Sequence, residues 1–350
     1  MKRLKVAFIA IAIGWIMVSC GDDTTISGAG ATFPAPFYTE VAKQYGIATG
    51  ERVSYGGVGS GAGQRNLAQQ TVDFGGTDEF LKDEKIAKMM PAPILHIPTC
   101  IGGIVIAYNL KGVKDLNLTS EIISKIYRGK ITKWNDPLIQ KVNPGVQLPS
   151  IPIIPVYRTD GSGTTFNFSS YMSNTDKDWE KELGAAKTLD IKVGNAAKGN
   201  PGVAGVISST SGAMGYIGSE YSLALNLPAA KIQNAAGNFV SATMESISLC
   251  GDIEDFPNDI RVMIANPANP KAYPISTMTW LIVYKDQAYG GRSLAKAKAL
   301  QKFLYYIIGD QAHDAAYKTH YSPLPLTARK KAEAVISSMT YQGKLLKDLL

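Results

Sequence analysis

The chain has 350 residues, 45% of them apolar and 19% charged, with a mean hydropathy of -0.02, a balance that suits two globular domains and excludes a disordered chain. Three Cys and three His exclude a Cys/His zinc module and a disulfide-stapled scaffold. The net charge of +7 falls to +4 without Lys2, Arg3 and Lys5, which is compatible with an anionic ligand and too weak to argue for nucleic acid.

Those three cations open the chain. An apolar run of thirteen residues follows at 6–18 (VAFIAIAIGWIMV), too short to span a bilayer and right for the core of a signal peptide. Residues 1–19 therefore read as a signal peptide. Small residues before Cys20 match a bacterial lipobox, with Met17 where that pattern usually has Leu. Cys20 is the expected lipidation site, and residues 20–27 the tether, in which Asp22 and Asp23 read as a solvated pair. The alternative is an ordinary cleaved signal with Cys20 a bystander. Either way the expected location is periplasmic, or the extracytoplasmic face of a membrane. No later stretch has 18 consecutive apolar residues, so a polytopic membrane protein is excluded. Cys100 and Cys250 sit among apolar or small residues and read as two buried, unpaired thiols, with a disulfide the alternative.

Elements then alternate. Strands are expected over 53–55 and 72–75, and helices over 64–70 and 82–90. The apolar run 101–108 (IGGIVIAY) reads as a strand buried on both faces, followed by a helix at 120–127 and a second buried strand at 151–156. A helix at 164–172 follows a Gly-rich turn, another buried strand covers 278–284, and an amphipathic helix capped by Ser293 covers 293–308. This alternation predicts an α/β fold with largely parallel sheets. With no linker in the middle, the simplest two-domain arrangement has the chain crossing twice, near 100–109 and 270–284.

Three Gly-rich segments look like helix openings: 28–36 (GAGATFPAP), 56–63 (GGVGSGAG) and 158–166 (RTDGSGTTF). Pro34 suits a first helical position with Thr32 or Phe33 at the cap, and Ser60 suits a cap. Helix N-termini offer unpaired N–H groups and partial positive charge, hydroxyls add donors, and Gly admits close approach, so together they suit a tetrahedral oxyanion. Each alone is ordinary capping; three in one exported chain, one with Arg158, point to an anion. Residues 57–62 also fit a G-x-G-x-x-A dinucleotide pattern with Asp78 beyond, but the strand before it is short and carries Arg52. The G-x-x-x-x-G-K phosphate loop and the G-x-S-x-G elbow are missing, and His96, His313 and His320 have no metal-binding spacing.

The segments GAGATFPAP, YGGVGSGAG, VDFGGTDEFL, IYRGKITKWNDP and RTDGSGTTFNF, in that order and near that spacing, resemble the phosphate-binding protein of the bacterial phosphate-specific ABC transporter. GAMGY at 212–216 and YPIST at 273–277 agree, and the resemblance covers essentially the whole chain after the signal segment. It implies a two-domain periplasmic-binding-protein fold (type II-like) with two hinge crossings and the ligand in the cleft. Residues 24–104 and 276–350 would form domain I and 105–275 domain II. It implies that inorganic phosphate is held by Thr32, Phe33, Ser60, Asp78, Arg158, Ser162, Gly163 and Thr164. Asp78 would be the one acceptor, and Asp160 would hold Arg158 from behind. Trp134, in the fourth segment, reads as structural. The resemblance further implies partnership with membrane permease and ATPase subunits, a monomer, and no cofactor, metal, nucleic acid or enzymatic activity. The rivals are the same fold with sulfate or molybdate, and an exported phosphatase.

Overall fold

The structure, a computed structural model, describes residues 24–349, so the signal segment, Cys20, Asp22 and Asp23 lie outside the described residues. The first part of the chain runs β1 (Ile26–Gly30), α1 (Ala35–Thr49), β2 (Val53–Gly57), α2 (Ser60–Ala68), β3 (Phe74–Thr77) and the long β4 (Ile94–Tyr108). There follow β5 (Ile154–Arg158), α3 (Gly163–Thr175), β6 (Asn195–Ala197), α4 (Gly199–Ser209) and β7 (Ala213–Gly218). The chain returns through β8 (Ser276–Tyr284) and α5 (Leu294–Ile308). The main sheet has the order β2-β1-β3-β8-β4-β7-β5-β6, with Ser322–Pro323 beside β4.

The sheet is parallel only towards its ends. β1 pairs in parallel with β2 and β3, and β5 with β6 and β7, whereas β3/β8, β8/β4 and β4/β7 are antiparallel. This corrects the expectation of largely parallel sheets. β4 runs from the first half of the sheet into the second, β8 returns antiparallel beside its first part, and each runs against the strand on its other side. β4 changes partner along its length: Ile94 to Gly103 pair with β8, and Ile104 to Tyr108 with β7.

Both central strands are almost wholly buried, as continuous apolar runs require. Phe37, Val41, Phe74, Phe303 and Tyr321 fill the core of the first half. In the second half Phe168 stacks on Tyr216 at 4.3 Å beside Trp179. Trp134 is buried there and donates from Nε1 to the Gly212 carbonyl at 3.0 Å. Ser293 Oγ accepts from the Lys296 N–H at 3.1 Å and so caps α5, which turns Leu300, Phe303, Leu304 and Ile307 inward.

Two helix starts differ from expectation. α1 begins at Ala35 with Pro34 in the cap position, one residue later than expected. α2 begins at Ser60, earlier than the expected 64, because Gly59 turns the chain at φ 97 and itself takes the cap position. α2 then lies so close to the sheet that a Cβ on Gly63 would stand 2.6 Å from Gly30 Cα, which accounts for that glycine.

Cys100 and Cys250 are both buried free thiols, and Cys250 Sγ donates to the Tyr273 carbonyl at 3.1 Å. His96 is buried, and its Nε2 accepts from the Leu81 N–H at 3.0 Å. Among the described residues no helix is long and apolar enough to cross a membrane.

Candidate functional site

The starts of α1, α2, α3 and α4 converge where the two halves of the sheet face each other. Thr32 and Phe33 lie between β1 and α1, Ser60 opens α2, and Asp78 follows β3. From the other half come Arg158 at the end of β5, Asp160 in the turn after it, and Ser162, Gly163 and Thr164 at the start of α3. All nine are brought together. Thr32, Phe33, Ser60, Asp78, Arg158, Ser162 and Thr164 are buried.

Ser60 stands at the contact between the halves. Its Oγ accepts from the Gly163 N–H at 3.1 Å and the Asp78 N–H at 3.3 Å, and lies 3.4 Å from Asp78 Oδ2. Its hydroxyl therefore bridges the cleft and does not cap its own helix. The N–H of Gly61 donates to the Gly161 carbonyl at 2.8 Å across the same seam. Gly163 has no room for a side chain: a Cβ there would lie 2.6 Å from both Asp78 Cβ and Ser60 Oγ.

Asp78 Oδ1 accepts from Thr279 Oγ1 at 2.8 Å, and its carbonyl accepts from Asn167 Nδ2 at 2.6 Å. Burial pushes its carboxyl up to about 7, although Thr279, Arg158 and Ser60 all pull the other way. Asp78 thus holds or surrenders a proton close to neutral pH.

Arg158 donates from Nε to Asp160 Oδ1 at 2.8 Å and from Nη2 to Asp160 Oδ2 at 2.5 Å, a bidentate pair. Its Nη1 is buried and has no partner among the described residues. Burial raises the Asp160 carboxyl, but its bonds to Arg158 and the Gly199 N–H outweigh this and hold it below the ordinary carboxylate range. Ser162 Oγ accepts from the Thr165 N–H at 3.0 Å as the cap of α3, while its own N–H donates to the Lys187 carbonyl at 3.1 Å.

Several groups here were not anticipated. Asn200, second residue of α4, donates from Nδ2 to Thr32 Oγ1 at 2.9 Å and to Thr164 Oγ1 at 3.1 Å, tying hydroxyls of the two halves together. Thr32 Oγ1 also accepts from the Asn200 N–H at 3.1 Å, so its own proton is directed elsewhere. The run Gly199-Asn200-Pro201 is a fourth helix opening of the kind already recognised and was the available signal. Tyr216 OH accepts the Arg158 N–H at 3.2 Å, and Tyr221 OH donates to the Thr32 carbonyl at 2.6 Å. Tyr321 OH donates to the Phe33 carbonyl. Glu220 is buried with neither carboxylate oxygen partnered among the described residues, and burial pushes its carboxyl up to about 8. Of these four only Tyr216 falls in a segment that carries the family resemblance, and no pattern gave it a role.

The chemistry is that of a compact acceptor of oxygen atoms. The Nη1 of Arg158, several hydroxyls and helix N-termini lie as donors beside the Asp78 carboxylate, with Asp160 taken up by Arg158, which suits a tetrahedral oxyanion that still carries a proton. Among the described residues no group of His, Cys, Asp and Glu is arranged to hold a metal ion.

Comparison with known proteins assigns the chain to a family. The model of the PBP superfamily domain matches residues 19–311. The phosphate-binding protein PstS of Xylella fastidiosa is 34% identical over 317 residues, covering 89% of this chain and 85% of its own. The protein of the same name from Pasteurella multocida is 34% identical over 314 residues, covering 89% of each. Among solved structures, the phosphate-binding protein from Stenotrophomonas maltophilia superposes with a TM-score of 0.69 at 18% identity, over 89% of this chain and 93% of that one. Matched over most of its length by both the domain model and such relatives, the chain belongs to the PBP superfamily and, within it, to the PstS phosphate-binding proteins.

Proposed function

We propose that this chain captures inorganic phosphate outside the cytoplasm and delivers it to the permease and ATPase subunits of an ABC importer. The observation that carries the reading is the presence of one buried acceptor, Asp78, and the buried Nη1 of Arg158, which has no partner among the described residues, amid hydroxyls and helix N-termini. Phosphate in its mono- and dibasic forms carries both a proton to give and oxygens to receive. Sulfate carries no proton, and beside ionised Asp78 it would set two acceptors face to face in a dry cleft.

In this reading residues 24–104 and 276–350 form one domain, 105–275 the other, and the chain crosses between them in β4 and before β8. The partner change within β4 at Gly103 and Ile104 supports that division. Capture closes the domains, because the phosphate contacts come from both and are complete only when they meet. The protein acts as a carrier and not an enzyme, in keeping with relatives that are named as binding proteins. It acts as a monomer, as the family resemblance implies, and is held to the membrane by lipid on Cys20, as the lipobox pattern implies. Calorimetric titration of phosphate, sulfate and arsenate into phosphate-stripped protein tests the proposal. Phosphate is expected to bind at one site per chain with sulfate at least a hundredfold weaker; absence of phosphate binding would refute it.

A further inference from the structure

Lys187 lies outside the anion site, between Glu182 and the start of β6, yet it engages both sides of the cleft. Its carbonyl accepts the Ser162 N–H at 3.1 Å and so steadies the start of α3. Its Nζ reaches across to donate to Gln64 Oε1 at 2.7 Å and lies 3.2 Å from Glu79 Oε2. Both partners are wired to the acceptor side. Gln64 Nε2 donates to Thr77 Oγ1 at 2.9 Å and approaches Glu79 Oε2 at 3.3 Å, and Thr77 and Glu79 flank Asp78. The ion pair is mostly shielded, with the Lys187 and Glu79 side chains 23% and 14% exposed.

We propose that Lys187 is a clasp across the cleft, a positioning residue that holds the closed form and so sets how long the captured anion stays. The proposal rests on the closure reading above. Its side-chain partners are Gln64 and Glu79, not the donors around Asp78, so losing the ammonium removes a contact made only on closure and leaves the anion's own contacts in place. Such a contact acts on dissociation. Association, which starts from the open form, is left nearly unchanged.

The test uses the full chain loaded with radiolabelled inorganic phosphate and chased with unlabelled phosphate. Lys187→Met should release label about tenfold faster, the scale of one shielded charge-assisted contact, with association within about twofold of wild type. Lys187→Arg should restore slow release, because the main-chain bond to Ser162 is kept and the charge returned. Glu79→Gln should also speed release, and adding it to Lys187→Met should add little. Release from Lys187→Met at the wild-type rate would overturn the clasp. So would slowed association in Lys187→Met that Lys187→Arg fails to rescue. If the wild type binds no phosphate, the functional reading fails and the clasp is judged by small-angle scattering. Lys187→Met must then show a larger radius of gyration than wild type; equal radii overturn it.

Discussion

Asp160 grips Arg158 through both of its carboxylate oxygens, at 2.8 and 2.5 Å, and leaves the buried Nη1 of the guanidinium without a partner among the described residues. The pair fixes the plane of the guanidinium before any anion arrives, so little reorganisation remains on binding. A bound phosphate is small: at about 1.5 kcal/mol per heavy atom its five atoms limit affinity to roughly micromolar. Anything tighter must come from charge-assisted bonds in a dry cleft. Arg158→Ala should therefore weaken phosphate by about 2–5 kcal/mol, as for truncating one partner of a buried charged contact. Arg158→Lys should recover part of this. Calorimetry on the three proteins decides; a change within about 0.5 kcal/mol for Arg158→Ala would put the guanidinium outside the site.

Gly163→Ala tests closure sterically. Its Cβ would stand 2.6 Å from Asp78 Cβ and Ser60 Oγ, both on the opposite side of the cleft. The clash is relieved when the halves separate, so overpacking of about 1–3 kcal/mol should fall on phosphate affinity. Phosphate-free thermal stability should change little. A loss of stability without a loss of affinity would contradict a contact that forms on closure.

Asp78 also shapes stability against pH. Its carboxyl is pushed up to about 7 in the folded protein, above the ordinary value near 3.8. The folded state thus keeps a proton that the unfolded chain has released. Stability is then greatest below about pH 4 as far as this group is concerned. It falls as pH rises towards 7, by at most about 1.4 kcal/mol per unit, and levels off above. Glu220, pushed up to about 8, adds a fall of the same sign. Thermal unfolding of phosphate-stripped protein between pH 4.5 and 7 should show a smaller decline for Asp78→Asn than for wild type. Equal slopes would mean that Asp78 is ionised throughout.

Anchoring rests on Cys20. Wild type should partition into detergent, and Cys20→Ala should give soluble or unprocessed protein, because one acyl chain holds a protein only marginally and stable anchoring needs more than one. Equal partitioning would leave Cys20 a bystander.

Much of the site is legible in the sequence because its parts are local. A helix opening needs Gly, Ser, Thr or Pro within a few residues, so 28–36, 56–63 and 158–166 announce themselves. The roles of Asp78 and Asp160 came only with the family resemblance, since an Asp in a turn has an ordinary local explanation. What escaped is set by long-range register. Thr279 reaches Asp78 because β8 returns beside β3, pairing Trp280 with Thr77. Tyr216 and Tyr221 reach the site from β7 and just beyond it. Strand direction was lost for a related reason: an apolar run such as 278–284 reads the same in either orientation, so the antiparallel centre of the sheet left no trace.

The central claim is that this cleft selects an anion able to give Asp78 a proton. Competition titration of phosphate and sulfate into wild type and Asp78→Asn, at fixed salt and pH 8.5, where Asp78 is ionised and phosphate still carries a proton, tests it most directly. Two facing acceptors in a buried site, both of them charged, cost about 3 kcal/mol or more, so wild type should favour phosphate by about two powers of ten or more. Asp78→Asn replaces an acceptor with a donor; it should bind phosphate modestly more weakly and sulfate more tightly, so that the ratio collapses. The same phosphate-to-sulfate ratio in both proteins would show that Asp78 is not the filter and would contradict the account.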